Sequence, residues 1–254
     1  MREPTSGAIT LSTSRTITAA ILVIGDEILS GRTKDKNIGA IADHLTAIGI
    51  QLREVRIVAD VEAEIVAALN GVRERYDYVF TTGGIGPTHD DITADSVAKA
   101  FGVTIDVDPR ARALLQAYYD GRGLELTPAR LRMARIPEGA DLLENAVSGA
   151  PGFRIGNVIV MAGVPDIMRG MLAVATPGLE TGARITSLTV PVDRPESEIA
   201  EVFATLQERF PDVAMGSYPL LRNGQPAADL VLRSTDAARA EDAARMLKEA
   251  LGLP

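Results

Sequence analysis

The eight residues 17–24, ITAAILVI, carry no charge and one hydroxyl. A strand that covers one side of a core alternates apolar and polar residues. An unbroken apolar run of this length instead predicts a strand buried on both faces. Such strands lie inside sheets sandwiched between helices, which restricts the chain to an α/β architecture.

The next 80 residues keep to that restriction. Ile38, Ile41, Leu45 and Ile48 recur at intervals of three and four, a helix stripe that Gly49 stops. QLREVRIVAD alternates as a strand, VEAEIVAALNGVRERY reads as a helix, and YDYVFTTGG as a third strand. ITADSVAKAFG predicts a helix closing on Gly102. Strand and helix alternating three times predict a parallel sheet with helices on both faces. Residues 109–134 are expected to be helical with a break near Gly121 and Gly123. FRIGNVIVM is expected to form a hairpin turning at Gly156-Asn157, and Pro165 to sit in the first turn of a helix.

After TPGLETGARI the pattern changes. From Ile185 it reads strand (ITSLTVPV), helix (ESEIAEVFATLQERF), strand (VAMGSYP), strand (AADLVLRS) and helix (AARAEDAARMLKEALG). We therefore expect a flexible tail over 1–16, a main α/β domain over 17–178 and a small α+β domain over 185–254. The tail lacks the apolar stretch of a secretory signal, and no run approaches the roughly 18 apolar residues of a membrane span. A cytoplasmic protein with no membrane partner is expected.

The 254-residue chain has no cysteine and two histidines, which excludes thiolate chemistry and His-rich metal sites. Lys and Arg number 26 against 34 Asp and Glu, a net charge of −8, so no general attraction to nucleic acid is expected.

Chemistry concentrates in the loops that leave the strands, because ligands of open α/β sheets sit outside the carboxyl ends of parallel strands. TTGGIGPTHDD, residues 81–91, combines Gly83, Gly84 and Gly86 with His89, Asp90 and Asp91. Glycines allow close backbone approach, and amides beside a helix start favour an anion such as phosphate. The third glycine of a dinucleotide fingerprint and the Gly-Lys-Ser/Thr of a P-loop are both missing. Carboxylates beside phosphate are compatible when a divalent metal bridges them. The ordinary alternative is that one aspartate caps the helix near Ile92, or that Thr93 does. GDE at 25–27 and Ala59-Asp60 end the other two strands, and Asn37 opens a helix, as a cap or as a ligand contact. Three acidic loops at one sheet edge repel one another unless metal or substrate compensates. SGAPGF adds Gly149 and Gly152, and AGVP adds Gly163. His44 reads as an ordinary helix residue, and Asp166 as a carboxylate in a first turn.

TTGGIGPTHDDIT resembles the signature of the molybdopterin-binding fold of MogA, MoaB and the gephyrin and MoeA domains. With GDEILSG before it and SGAPGF and GVP after it, the order is similar to the amino-terminal domain of CinA and the related domain of eukaryotic FAD synthases. The resemblance spans about residues 19–175, and GSYP at 216–219 extends it into the small domain. The deamidase domain of full-length CinA is expected to be absent. Two departures bear on specificity. Gly25-Asp26-Glu27 stands where the CinA branch has Gly-Asn-Glu, and Ala162 where it has proline.

The resemblance implies a three-layer α/β/α, mostly parallel sheet. It implies an essential aspartate at Asp91 and one at Asp60 that helps bind metal and phosphate. The leading expectation is a metal-dependent pyrophosphatase acting on ADP-ribose or a similar dinucleotide. Asp60, Asp90 and Asp91 would hold magnesium or cobalt, with potassium as a further cation. His89 or Glu27 would activate water, while Gly83, Gly84, Gly86, Thr88, Asn37, Gly149, Gly152 and Gly163 would contact the ligand. The alternatives are a molybdopterin adenylyltransferase of cofactor biosynthesis and a non-catalytic nucleotide-binding module. A homo-oligomer, dimer or trimer, is implied by resemblance alone.

Overall fold

The computed structural model describes residues 15–254. Of the tail expected over 1–16, residues 1–14 lie outside the described residues, and Arg15 pairs with Asp77. The chain divides into two compact units, the second beginning at Ala183.

The first unit opens with β1 (Ile17–Ile24), α1 (Asp26–Leu29), α2 (Asn37–Ala47), β2 (Ile50–Val58), α3 (Glu62–Arg73), β3 (Tyr78–Thr82) and α4 (Thr93–Phe101). It continues with β4 (Ile105–Val107), α5 (Pro109–Asp120), α6 (Pro128–Leu131), β5 (Arg135–Pro137), β6 (Asp141–Leu143), β7 (Gly152–Ile155), β8 (Val158–Met161) and α7 (Pro165–Ala175). The six-stranded sheet runs β2-β1-β3-β8-β7-β6. Its β2, β1, β3 and β8 are parallel, β7 alone runs against them, and β6, antiparallel to β7, runs with them again.

The apolar run of β1 is buried on both sides, as its composition requires. Ala20, Leu22 and Ile24 enter one core with Leu69 of α3, Val97 of α4 and Leu115 of α5. Ala19, Ile21 and Val23 enter the other with Ile41 and Leu45 of α2 and Met168 and Leu172 of α7. Alternation along a strand sends neighbouring side chains to opposite faces, so one continuous apolar strand serves two cores. This is the three-layer α/β/α arrangement.

The region 109–134 is helical with the break expected near Gly121 and Gly123, and the break extends to residue 127. Asp108 caps α5 by accepting from the amides of Arg110 and Ala111, and α5 ends at Asp120. Thr127 then caps the short α6. Between these helices and their neighbours, β4 and β5 form an isolated antiparallel pair, and β6 joins the main sheet. Strands of three residues are too short to show a period in sequence.

The second unit contains β9 (Thr186–Val192), α8 (Glu196–Arg209), β10 (Ala214–Arg222), β11 (Gln225–Ser234) and α9 (Ala237–Leu251). Its antiparallel sheet runs β10-β11-β9. Both helices pack on one face, where Val190, Leu230 and Leu232 meet Ile199, Leu206 and Leu247. β10 and β11 extend beyond the expected strands to a two-residue turn, Asn223-Gly224, with φ of 54° and 77°. Positive φ at both turn residues is the geometry that matches the twist of a hairpin, and Asn-Gly provides it. No helix among the described residues is long and apolar enough to cross a membrane.

Candidate functional site

The loops after β1, β2 and β3 meet because these strands are neighbours in the sheet. Gly25 N donates to Val58 O at 3.1 Å, and Asp26 N donates to Asp60 Oδ2 at 3.0 Å. These bonds tie the β1 and β2 loops together. The β3 loop joins them through Gly83, where φ is 100°. A Cβ at that position would collide with the Ile24 carbonyl oxygen. Gly84 has φ 66°, and a Cβ there would meet the Thr93 hydroxyl. Both glycines are thus required by backbone conformation and by close packing within the protein.

Thr93 locks the loop to the helix that follows. Its Oγ1 donates to Gly83 O and its N–H donates to Gly84 O, both at 2.9 Å. Neither aspartate caps α4. The carboxylate of Asp91 instead accepts from Thr88 N at 2.8 Å and from Thr88 Oγ1 at 2.6 Å. The loop is therefore a closed turn with its own carboxylate at the centre, and a Cβ at Gly86 would lie 2.6 Å from Asp91 Oδ2.

A cleft of about 510 Å³ opens at this edge. Gly83, Gly84 and Gly86 line it together with Glu27, Asp91 and Ser148. Ile85, Met133, Ala150, Ile167 and Met171 supply apolar wall. A recess of about 220 Å³ shares Glu27, Thr33, Gly83, Gly163 and Pro165 with it and extends to Lys34, Lys36 and Asn37. The Gly83 and Gly163 backbones touch: a Cβ on Gly163 would lie 3.3 Å from Gly83 Cα. A narrow pocket against Gly84 and Gly86 also brings Arg132 and Arg135 beside Asp91 and Asp95. Arg135 is paired with Asp95 in the first turn of α4.

Placement of the expected residues is uneven. Glu27, Asp91, Gly83, Gly84, Gly86 and Gly163 line the cleft, and Asn37 lines the recess. Asn37 is not the cap of α2. Asp35 Oδ1 does that work, accepting from Asn37 N at 3.0 Å and Ile38 N at 2.8 Å. Thr88 is committed to Asp91. The His89 side chain is 99% exposed and lies 4.0 Å from Asp90 Oδ1, so neither is among the cleft-lining residues. Gly149 packs on the Tyr118 ring and Gly152 on the Val160 carbonyl, so both satisfy packing, while their neighbours Ser148 and Ala150 face the cleft. Thr33 and Met133 carry no local signal in sequence and reach the cleft only through the fold, whereas Ser148 opens the SGAPGF stretch, of which only the glycines were expected to contact the ligand.

Burial raises the proton affinity of Asp60 above the ordinary carboxylate value, and the nearby charges of Asp26, Glu27 and Asp90 add to this. The Asp26 amide opposes the shift. This is the like-charge crowding expected of the three loops. The trio Asp60, Asp90 and Asp91 is nevertheless not a preassembled metal-ligand set. Asp91 is turned onto Thr88, and among the described residues no group of three or more His, Asp or Glu side chains is gathered closely enough to hold a metal ion. The donor set does not fit a protein-only metal centre.

Comparison with known proteins places this geometry in a family. Residues 20–181 match the family described as "Probable molybdopterin binding domain", and residues 184–253 match the one described as the middle domain of FAD synthase. A protein of Pyrobaculum arsenaticum is 36% identical over 211 residues, covering 79% of each chain. A CinA-like protein of Desulfosudis oleivorans is 36% identical over 209 residues, covering 78% of this chain and 51% of that protein. The crystal structure of CinA from Thermoplasma acidophilum, described as of unknown function, shares 38% identity with a TM-score of 0.57. It covers 61% of this chain and 94% of that one. With its parallel sheet, its Gly83–Asp91 loop and a family match across residues 20–181, this chain belongs to the molybdopterin-binding domain family, in its CinA-like branch.

Proposed function

We propose that the first unit binds a phosphorylated pterin or nucleotide in the cleft at the carboxyl edge of β1, β3 and β8, in the service of molybdopterin chemistry. The observation that carries this reading is the pairing of two wall types in one cavity. The backbone of Gly84 and Gly86, beside the start of α4, suits an anion. Ile85, Met133 and Met171 suit a flat ring, and about 510 Å³ lies within the range of small-molecule sites. The family match supports a pterin as the ring. Isothermal titration with a phosphorylated pterin, AMP and ADP-ribose tests the proposal. Binding of at least one in the micromolar to low millimolar range is expected. Silence from all three would sink it. A homo-oligomer belongs to the same proposal and is read by sedimentation velocity.

A second reading, cleavage of the diphosphate in a dinucleotide such as ADP-ribose, is favoured by Glu27, the carboxylate that lines both the cleft and the recess. A carboxylate at the cleft wall is placed to accept a proton from water held beside a bound diphosphate. In this reading water attacks one phosphorus, and the bond from that phosphorus to the bridging oxygen breaks. Glu27 accepts the water proton, and the products are AMP and a sugar phosphate. Incubation with ADP-ribose or FAD, with magnesium, with cobalt and without either, would release AMP. Glu27→Gln would lose that release while still binding substrate. Binding with no release under any of these conditions leaves a non-catalytic module.

A further inference from the structure

We propose that β2 is the contact edge of a homodimer, pairing antiparallel with β2 of a second copy of this chain about a twofold axis at Val55. The inference rests on the homo-oligomer reading above and deepens it by naming the interface. It does not depend on what the cleft binds.

β2 ends the six-stranded sheet and, among the described residues, is hydrogen-bonded to β1 alone. The Val58 carbonyl accepts from Gly25 N at 3.1 Å, so the backbone of Val58 faces β1. Backbone groups alternate in direction along a strand, so Arg56 also faces β1, while Val55 and Ile57 turn their N–H and C=O outward. Such an edge is a template for another strand, and proteins commonly blunt it with proline or a bulge. β2 contains no proline, and its irregularity lies opposite Ala19 and Ala20, which leaves residues 54–58 regular. Its apolar side chains are open as well. Val55 and Ile57 lie opposite Ile21 and Val23 yet are 38% and 39% exposed. Leu29 of α1, which packs beside β2, and Val61 just after the strand are also exposed.

The charges of the strand say what pairs with it. Glu54 and Arg56 share the face opposite to Val55 and Ile57, with Arg56 Nε 2.6 Å from Glu54 Oε1 and with Arg75 and Tyr76 also bound to Glu54. In an antiparallel twofold pairing, residues equally far on either side of the axis face each other. An axis at Glu54 or at Arg56 sets that charge against its own copy. An axis at Val55 sets Glu54 opposite the partner's Arg56, twice over. It also lets the two Val55 residues exchange N–H···O bonds, and it brings Val55 against Val55 and, diagonally, Ile57 of the partner. The one strand thus supplies both the edge and its match, which is the self-complementarity that a twofold interface requires. A strand of unrelated sequence would not carry this charge order.

The test uses the full chain in sedimentation velocity. Wild type is expected to be a dimer at micromolar concentration. Val55→Lys, at an exposed position, is expected to weaken the dimer about tenfold or more by setting like charges on the axis. Glu54→Arg and Arg56→Glu should each weaken it on the same scale. Mixed in equal amounts, these two variants should form a heterodimer, because the arginines of one then face the glutamates of the other. A trimer, or a dimer indifferent to Val55→Lys, overturns the β2 interface and leaves the homo-oligomer reading standing. A monomeric wild type overturns both. Folded charge variants that stay apart when mixed overturn the axis at Val55. Should either charge variant fail to fold, Val55→Lys decides alone, and unchanged association in it overturns the proposal.

Discussion

Thr93 Oγ1 donates to the Gly83 carbonyl oxygen at 2.9 Å, so the first residue of α4 holds the glycine turn that precedes it by ten positions. The hydroxyl is buried, and the turn it fixes is cleft wall. Thr93→Val keeps the shape and removes the donor. It is expected to cost about 1–3 kcal/mol, the usual loss when a buried acceptor is orphaned. Urea unfolding measures this, and faster amide exchange at residues 83–86 should accompany it. A change below about 0.5 kcal/mol would mean that the bond does not hold the turn.

Two glycines separate backbone strain from packing. Gly102 has φ 67° with no atom within 4 Å of a built Cβ, so Gly102→Ala should cost about 1 kcal/mol, strain alone. Gly83 has φ 100°, and its Cβ would strike the Ile24 carbonyl. Gly83→Ala adds a clash with immobile backbone and should cost about 3 kcal/mol or more. Equal midpoints for the two variants in denaturant would refute the packing account.

Asp60 gives a pH signature. Its folded-state proton affinity is raised, so the ionised form is disfavoured in the fold relative to the unfolded chain. The penalty is absent below the ordinary carboxylate value of about 4, grows as pH rises through the raised folded value, and persists at neutral pH. Asp60→Asn should therefore raise Tm at pH 7, with the gain in Tm shrinking toward pH 4. A gain independent of pH would show that charge crowding is not its cause.

Magnesium alone should leave Tm unchanged at millimolar concentration, because the site carboxylates are not gathered into a ligand set in the absence of substrate. A saturable rise in Tm with magnesium and no nucleotide would contradict the described geometry.

The second unit has its own core on one face of its own sheet. Residues 183–254 expressed alone should fold and unfold cooperatively in calorimetry, with an enthalpy of about 0.7 kcal/mol per residue near 60 °C. A broad transition without a heat-absorption peak would show that this core is not sufficient by itself.

The sequence by itself determined the elements whose signal is local. The unbroken run in β1, the stripes of α2 and α3, and the stops at Gly49 and Gly102 are periodic or punctuated patterns, which need no knowledge of distant residues. The hairpin turning at Gly156-Asn157 was likewise legible, and it joins β7 to β8. The three acidic loops were legible as neighbours because adjacent parallel strands put their carboxyl ends together. Tertiary structure decided the rest. It gave the cap of α2 to Asp35, turned Asp91 onto Thr88, sent His89 into solvent, and brought Met133 and Ser148 into the cleft. It also left one face of the Asn37 amide paired and the other empty. These outcomes depend on which backbone atoms lie within about 3 Å of a side chain. Residue type and spacing along the chain do not fix such distances until the sheet has brought residues 37 and 163 together.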